Sequence, residues 1–294
     1  MDDRTRFIGA SEISAVLGLN PWKTALQLWG EKTGLVPAKD LSTNEAVEWG
    51  TRLERVVSAK FAEKHDVKLI AYKKRYVHPA HSFISCELDN IIAGTDELVE
   101  IKTCNANAYK DWTDPNQIPQ HYTIQVNTQL GLSGRTKGHI AVLCGGQRYF
   151  EKVVMFDQKL YDETIERTVA FWKMVEDRTP PEAVGEDNDT LLQFYPKAGE
   201  LLEAVEQMNT SIALLQETKA HIKSLEEQKD GLEASLKQVI GENQGIKTSA
   251  YIVTWKEQSR AVVDTDALKR DGLYEGYTKE SKTRVLRIAK NGGK

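Results

Sequence analysis

The most regular pattern of apolar and polar positions lies in residues 83–103, where two apolar runs flank a Gly-Thr-Asp turn signal at residues 94–96. The second run alternates strictly, so it predicts a strand with Glu100 and Lys102 on one face. A hairpin through the turn would place Asp89, at the end of the first run, beside Glu100. This pattern therefore predicts a pair of carboxylates with one ammonium group nearby.

Apolar residues at helical spacing predict helices around this hairpin. In the strongest predicted helix, residues 44–65, the apolar stripe consists of Val47, Leu53, Val56, Val57 and Phe61. A shorter helix is expected to begin at Ser11, a residue type that caps helix N-termini. Further helices are predicted for residues 24–32, 120–132 and 160–177.

The remaining patterns in the first two thirds of the chain predict strands. These cover residues 67–77, 83–85, 138–143 and 148–156, and Gly145-Gly146 turns the last two into a hairpin. Helices come first, then four or five strands with one interposed helix, then another helix. This order predicts an α/β fold in which helices flank a central mixed sheet.

The last third of the chain changes character twice. Residues 198–240 are acidic, and apolar residues spaced three and four apart predict a long helix or helical hairpin. That helix could pack on its own domain or form an intermolecular coiled coil. We predict three parts, namely a core at residues 1–185, this helical segment at 190–243 and a small α+β module at 244–294.

Residues 245–294 are basic, with eleven Lys or Arg against six Asp or Glu. Residues 251–255 and 284–288 alternate as strands, and Asp264 is expected to cap a short helix. A basic module with several aromatic residues suits contact with a DNA backbone. A surface-charged module without a ligand is an equally open interpretation.

Composition narrows the class of protein only slightly. The chain has 294 residues, a net charge of −4 and no apolar run near the ~18 residues that span a membrane. Its three cysteines, at positions 86, 104 and 144, are widely spaced, which favours a reducing compartment and argues against a zinc or iron–sulfur site. A cytoplasmic protein is therefore expected.

The carboxylate pair suits a divalent cation. Mg²⁺ prefers oxygen ligands, so Asp89, Glu100 and a backbone carbonyl could hold it, while Lys102 could orient or deprotonate water or stabilise a phosphate oxyanion. Ordinary solvent-facing charges are the alternative interpretation. Glu54 lies on a helix, where it could face either solvent or this carboxylate patch. Gln125, on another helix, is expected to face the patch.

A second candidate site lies near the N-terminus. Ser11 at a helix start, with Arg4 and Arg6 nearby, could bind a phosphate through backbone donors and charge. A plain helix cap would explain the same residues. The two interpretations remain open from local sequence alone.

Four segments in order resemble the YqaJ-type phage recombination exonucleases, relatives of lambda exonuclease within the PD-(D/E)xK nucleases. The segments read IGASEI with LGLNPWKTALQLWGEKTG, EWGTRLE, ELDN…LVEIKT and IPQHYTIQVNTQLGLSG, and they span most of residues 4–150. Leu88 stands where the family has Pro, and Asn90 where Gly is usual. The resemblance implies a catalytic set of five residues, namely Glu54, Asp89, Glu100, Lys102 and Gln125.

The same resemblance implies a function. It suggests an exonuclease that uses Mg²⁺ or Mn²⁺ to degrade linear double-stranded DNA from the 5′ end in phage or prophage recombination. The metal would be held by Glu54, Asp89, Glu100 and the Ile101 carbonyl. Contacts to DNA would come from four residues, namely Arg4, Arg6, Ser11 and Tyr122.

The resemblance also implies partners. Family members form ring-like homo-oligomers, for example trimers, and cooperate with a single-strand annealing protein in the cytoplasm of a bacterial host. Two rivals stay open, a RecB-like DNA endonuclease and a non-catalytic DNA-binding scaffold that dimerises through residues 198–240. Metal-dependent hydrolysis of linear DNA would separate an enzyme from a scaffold.

Overall fold

The computed structural model describes residues 3–38, 40–72, 74–203, 205–279 and 283–289. The chain divides into two compact units, Met1–Tyr195 and Pro196–Lys294. The strands are β1 (Ile8–Gly9), β2 (Leu69–Ala71), β3 (Tyr76–Val77), β4 (Ile84–Cys86), β5 (Asn90–Ile92), β6 (Glu97–Cys104), β7 (Lys137–Cys144), β8 (Arg148–Met155), β9 (Gly245–Lys247) and β10 (Ile252–Thr254). The helices are α1 (Ala10–Val16), α2 (Ala25–Thr33), α3 (Glu45–His65), α4 (Lys110–Thr113), α5 (Gln120–Ser133), α6 (Gln158–Glu176), α7 (Asn188–Phe194), α8 (Met208–Ile240) and α9 (Thr265–Arg270).

A five-stranded mixed sheet forms the centre of the first unit, in the order β2-β5-β6-β7-β8. Strands β6 and β7 are parallel, and the other neighbours in this sheet pair antiparallel. A parallel pair needs a crossover connection, and α5 lies between these two strands in the chain. The predicted α/β fold with a central mixed sheet is confirmed.

Helix α3 covers one face of this sheet. Its Val57 and Phe61 pack with Val99 and Ile101 of β6 in a buried cluster. The rest of the predicted α3 stripe is partly wrong, because Val47 and Val56 are exposed. Val57 and Phe61, one turn apart, hold α3 against the sheet, whereas Val47 and Val56 lie outside this cluster.

Helix α5 covers the opposite face. Val126 and Leu130 pack with Leu98 of β6 and Ile140 of β7. Gly138 makes this close approach possible, because a Cβ at that position would lie only 2.5 Å from Val126 Cγ1. The helix that carries Gln125 is thereby held directly over β6.

A second, three-stranded sheet has the order β1-β4-β3. The sequence predicted one strand over residues 67–77, and this prediction is wrong. Strand β2 pairs with β5 in the central sheet, whereas β3 pairs with β4 in the second sheet. The chain leaves one sheet for the other here, which a continuous pattern of strand-forming residues does not reveal.

Two cysteines link the ends of the central parallel strands. Cys104 and Cys144 are directly opposite each other in the β6–β7 register and form a disulfide, with 4.6 Å between their Cα atoms. Their wide spacing in the sequence suggested a reducing compartment, and the pairing differs from that expectation. Only the strand register brings the two residues together.

The second unit contains α8, the β9–β10 hairpin and α9. Asp264 caps α9 by accepting a hydrogen bond of 2.8 Å from the Ala267 N–H, as predicted. Leu201, which was expected to start the long helix, precedes α8, and the predicted strand at residues 284–288 has no strand structure. In the described part of the chain, no helix is both long and apolar enough to cross a lipid bilayer.

Candidate active site

The β5–β6 pairing brings the two predicted carboxylates together. Asn90 pairs with Val99 in the antiparallel register, so the preceding Asp89 lies opposite the following Glu100. Asp89 Oδ2 also accepts a 2.8 Å hydrogen bond from the Ile101 N–H. The hairpin geometry that was predicted from the alternating pattern is therefore present.

Glu100 is almost fully buried, with 3% of its surface exposed, and three side chains donate hydrogen bonds to it. Lys102 Nζ lies 2.6 Å and Gln125 Nε2 2.5 Å from its Oε1, and Gln129 Nε2 lies 2.8 Å from its Oε2. A buried carboxylate needs such partners, because burial removes its hydration. These contacts fix the Glu100 side chain between β6 and α5.

A pocket of about 310 Å³ opens beside this carboxylate. We call it the carboxylate pocket, and it is lined by Ala46, Val47, Gly50, Thr51, Glu54, Asp89, Glu100, Ile101, Lys102 and Thr103. Glu54 reaches it from α3, on the other face of the sheet from α5. Helix and hairpin thus direct three acidic side chains to one opening.

The acidic side chains in the carboxylate pocket repel one another. Burial, together with the nearby charges of Glu100 and Glu54, raises the pKa of Asp89 to about 7. Burial opposes the charge of Lys102, but the ion pair with Glu100 outweighs it and raises the pKa of that amine. Lys102 is therefore protonated at neutral pH, and a cation in the pocket would relieve the repulsion among the acids.

The donor chemistry of this pocket fits a hard divalent cation. It offers three carboxylates and the Ile101 backbone, which are the oxygen ligands that Mg²⁺ prefers. Among the described residues, no three His, Cys, Asp or Glu side chains stand close enough together to hold a metal as they lie. Metal binding would therefore require these acidic side chains to move closer together.

A second pocket, of about 260 Å³, lies by the N-terminal segment and α5. We call it the arginine pocket, and it is lined by Arg4, Phe7, Gly9, Ala10, Ser11, Glu12, Arg75, Ser85, Cys86, Glu87, Gln125 and Gln129. The structure thus gathers Arg4 and Ser11 as predicted, whereas Arg6 is exposed and does not line the pocket. Ser11 is not the helix cap that was expected, because Gly9 occupies that position.

Two arginines, Arg4 and Arg75, and two acids, Glu12 and Glu87, line the arginine pocket. Arg75 lies over the Phe7 ring, 3.5 Å from its centre, and its Nε donates to Ser85 Oγ at 2.9 Å. The acidic Glu12 is paired with Lys32 at 2.8 Å. The pocket thus brings the guanidinium groups of Arg4 and Arg75 and the Ser11 hydroxyl to one opening.

Aromatic side chains surround the outer end of Lys102. Its Nζ lies 5.2 Å from the centre of the Tyr122 ring, in cation–π geometry. Tyr122 in turn packs against Trp112 and His121, with ring centres 5.5 and 4.0 Å apart. The predicted DNA contact Tyr122 is thus a direct neighbour of Lys102.

Sequence reasoning missed two residues of these pockets. Gln129 was given no role, although it donates to Glu100 and also to the Glu87 carbonyl at 3.1 Å. The spacing of four residues from Gln125 was the signal for it. Arg75 carried no signal, because it lies beside a short strand whose sheet was predicted incorrectly.

Comparisons with known proteins agree with the geometry. A model of the YqaJ-like viral recombinase domain matches residues 1–136. The chain is 31% identical over 298 residues to the protein YqaJ of Bacillus subtilis strain 168, and the alignment covers 97% of this chain and 92% of that protein.

Solved structures supply the fold. The alkaline exonuclease LHK-Exo from Laribacter hongkongensis matches with a TM-score of 0.52 and 20% identity, over 60% of this chain and 91% of that one. Its complex with dAMP matches with a TM-score of 0.51, the same identity and the same coverage. At this identity the comparison establishes the fold, which is the PD-(D/E)xK nuclease fold that the motifs predicted.

Proposed function

Because the chain belongs to the YqaJ-like viral recombinase family, we propose that it is a metal-dependent deoxyribonuclease that degrades linear double-stranded DNA from its ends. We propose cleavage in the 5′-to-3′ direction, in phage or prophage homologous recombination. The observation that carries the proposal is the carboxylate pocket, where Asp89, Glu100 and Lys102 meet on two paired strands.

The cation of this reaction is proposed to be Mg²⁺ or Mn²⁺. Asp89, Glu100, Glu54 and the Ile101 carbonyl would hold it. When bound, such a cation supplies a more acidic water and an electrostatic counterpart for the phosphate in the transition state. The three acids favour a bound cation because its positive charge relieves the repulsion among their carboxylates.

Lys102 is proposed to act as a cation and not as a base. Its ion pair with Glu100 raises the pKa of the amine, so a proton is held at Nζ at neutral pH. A fixed ammonium in a partly buried pocket stabilises the charge that develops on a phosphate oxygen. Gln125 and Gln129 donate to the two oxygens of Glu100 and so position this carboxylate beside Lys102.

The arginine pocket is proposed to receive the terminal 5′-phosphate. Arg4 and Ser11 line it together with Arg75, and a guanidinium group can donate two hydrogen bonds to one phosphate. Gln125 borders this pocket and also contacts Glu100, which lines the carboxylate pocket. A strand with its end in one pocket would therefore place a phosphodiester bond near the other.

Partners and assembly also belong to this proposal. A ring-like homo-oligomer, for example a trimer, would keep the enzyme on one DNA molecule, and a single-strand annealing protein would take up the exposed strand. The basic residues at 245–294 are proposed to contact DNA phosphates. The proposed setting is the cytoplasm of a bacterial host.

An end-labelled digest tests the proposal. Linear duplex DNA carrying either a 5′-phosphate or a 5′-hydroxyl is incubated with the full chain, with Mg²⁺ or with a chelator. The account predicts nucleotides released from the 5′ end, only with metal, and faster from phosphorylated ends.

Closed circular DNA is the control substrate. An exonuclease leaves it intact, whereas cutting of the circle would favour the RecB-like endonuclease alternative. Binding of DNA without hydrolysis of any substrate in either metal would instead support the non-catalytic scaffold.

A further inference from the structure

An exposed tryptophan stands on the short loop between α1 and α2. Trp22 has 70% of its surface exposed, which is unusual for so large an apolar side chain. The loop is nevertheless held in place, because Asn20 Oδ1 accepts hydrogen bonds from the N–H groups of Trp22 and Lys23 at 2.9 and 3.0 Å. Asn20 is itself anchored, since its Nδ2 donates to the buried Ser14 Oγ at 3.0 Å. The indole is thus presented to solvent on a fixed support.

A continuous path of rings connects Trp22 to the candidate active site. Trp22 meets His121 edge to face, with ring centres 5.0 Å apart and planes at 84°, and it lies 6.4 Å from the Tyr122 ring. Tyr122 contacts the Lys102 ammonium. Since successive nucleotides rise about 3.4 Å along a strand, these steps put Trp22 within a few nucleotides of Lys102.

The chemistry of this position favours a nucleobase as its occupant. The edge-to-face contact with His121 uses at most part of the indole, so ring surface stays open for stacking. If a strand with its phosphate at Lys102 follows this row of rings, its bases pass Tyr122 and His121 and reach Trp22. Every base has a flat face that can stack on an aromatic ring, whatever the sequence.

We propose that Trp22 is a stacking site for an unpaired nucleobase of the DNA strand whose phosphate occupies the Lys102 end of the carboxylate pocket. This inference rests on the proposed nuclease function and adds a binding site that holds the strand end by a base, independently of its phosphate. Trp22 would act in binding and positioning, and it would take no part in the chemistry.

Single abasic nucleotides test the stacking directly. A labelled duplex is bound by the full chain in Ca²⁺, whose looser coordination occupies oxygen sites without the octahedral geometry of Mg²⁺, and recovery of intact DNA is checked. The duplex carries one abasic nucleotide at each of the first three positions of either strand in turn. For the unaltered protein, one position should weaken binding about tenfold or more, the effect of losing one stacked base.

Variants of Trp22 complete the cycle. Trp22→Ala should bind normal DNA about tenfold more weakly, the same loss of affinity as the abasic nucleotide causes. The abasic nucleotide should not weaken binding by Trp22→Ala any further. Trp22→Phe should retain most of the affinity for normal DNA. The control is Met155→Ala, another exposed apolar residue at the end of β8, which should bind as the unaltered protein does.

Three results would overturn the inference. One is unchanged affinity of Trp22→Ala, and another is an equal loss on all DNA substrates, which would show no base-specific coupling. The third is a change in oligomer size of Trp22→Ala on a sizing column, which would place the indole between copies of the chain. Failure of the proposed function is read separately, as absence of Mg²⁺-dependent digestion by the unaltered protein.

Discussion

The carboxylate pocket and the arginine pocket are built from neighbouring side chains but differ in the charged groups that line them. In the first, Glu54, Asp89 and Glu100 share one opening, and their repulsion together with burial raises the pKa of Asp89. In the second, Glu12 is paired with Lys32, and Arg4 and Arg75 share the lining with Glu87. Under the proposed function, the pocket dominated by acids would take the cation and the pocket with two guanidinium groups would take the phosphate.

Two neutral glutamines lie at the boundary between the two pockets. Gln125 and Gln129 border the arginine pocket, yet their amides donate to Glu100 of the carboxylate pocket. Neutral amides satisfy a buried carboxylate without adding charge to either side. A basic residue in place of either glutamine would merge the two electrostatic environments.

The largest expected effect comes from removing charge at the centre of the carboxylate pocket. Glu100→Gln keeps the shape of the side chain and should lower hydrolysis of linear DNA by about 10³-fold or more, since it removes a proposed metal ligand. Rates are measured on end-labelled duplex in saturating Mg²⁺.

The matched control is Glu63→Gln on α3, an acid in an exposed ion pair with Lys60. It should digest DNA at the unaltered rate. Near-normal activity of Glu100→Gln would remove Glu100 from the proposed site.

The next effect separates the ammonium from the acids. Lys102→Met keeps the length of the side chain but loses its charge, so turnover should fall by about 10²-fold while the pocket still binds Mg²⁺. Calorimetry gives metal binding and single-turnover digestion gives the rate. Lost Mg²⁺ binding with an unchanged rate at saturating metal would contradict the assigned role.

A smaller effect is expected in the arginine pocket. The double variant Arg4→Ala, Ser11→Ala should lose about tenfold of its rate on 5′-phosphorylated ends, the scale of a charge-assisted hydrogen bond, and little on 5′-hydroxyl ends. The ratio of the two rates is the measurement. A loss of equal size on both substrates would point to a damaged fold and away from a phosphate site.

The smallest effect concerns stability without metal. The folded-state pKa of Asp89, about 7, is above its ordinary value of 3.8, so protonation favours the folded chain and stability should fall as pH rises from about 4 to about 7. Asp89→Asn lacks this titration, so its melting midpoint should exceed that of the unaltered protein by several degrees at pH 8 and by less at pH 5.

Thermal melts in chelator measure both proteins at the two pH values. Added Mg²⁺ should raise the midpoint of the unaltered protein at pH 8 and leave Asp89→Asn nearly unchanged. A midpoint for Asp89→Asn below that of the unaltered protein at pH 8 would show that the carboxylate is not under repulsion.

Local sequence patterns predicted correctly the part of the site that depends only on the β5–β6 pairing. Strict alternation placed Glu100 and Lys102 on one face, and the turn signal placed Asp89 opposite, because hairpin register follows from turn and pleat. Gln125 also reached its predicted position. Its prediction also used only local sequence, namely the spacing of apolar residues along one helix.

Long-range pairings were beyond the reach of local patterns. The division of residues 67–77 between two sheets depends on which partner strand is free, and the Cys104–Cys144 pairing depends on the β6–β7 register. Arg75 and Trp22 act through neighbours far away in sequence. Neither position shows a periodicity that would have singled it out.

The most direct test is to locate the metal ion and the terminal phosphate in one structure. Crystals of the full chain grown with Mn²⁺ and a 5′-phosphorylated duplex would show the metal by anomalous scattering. The account predicts a manganese peak between Asp89, Glu100 and the Ile101 carbonyl, with the terminal phosphate against Arg4 and Ser11. A manganese ion bound elsewhere, or a phosphate in the carboxylate pocket with no metal beside it, would contradict the proposed division of the site.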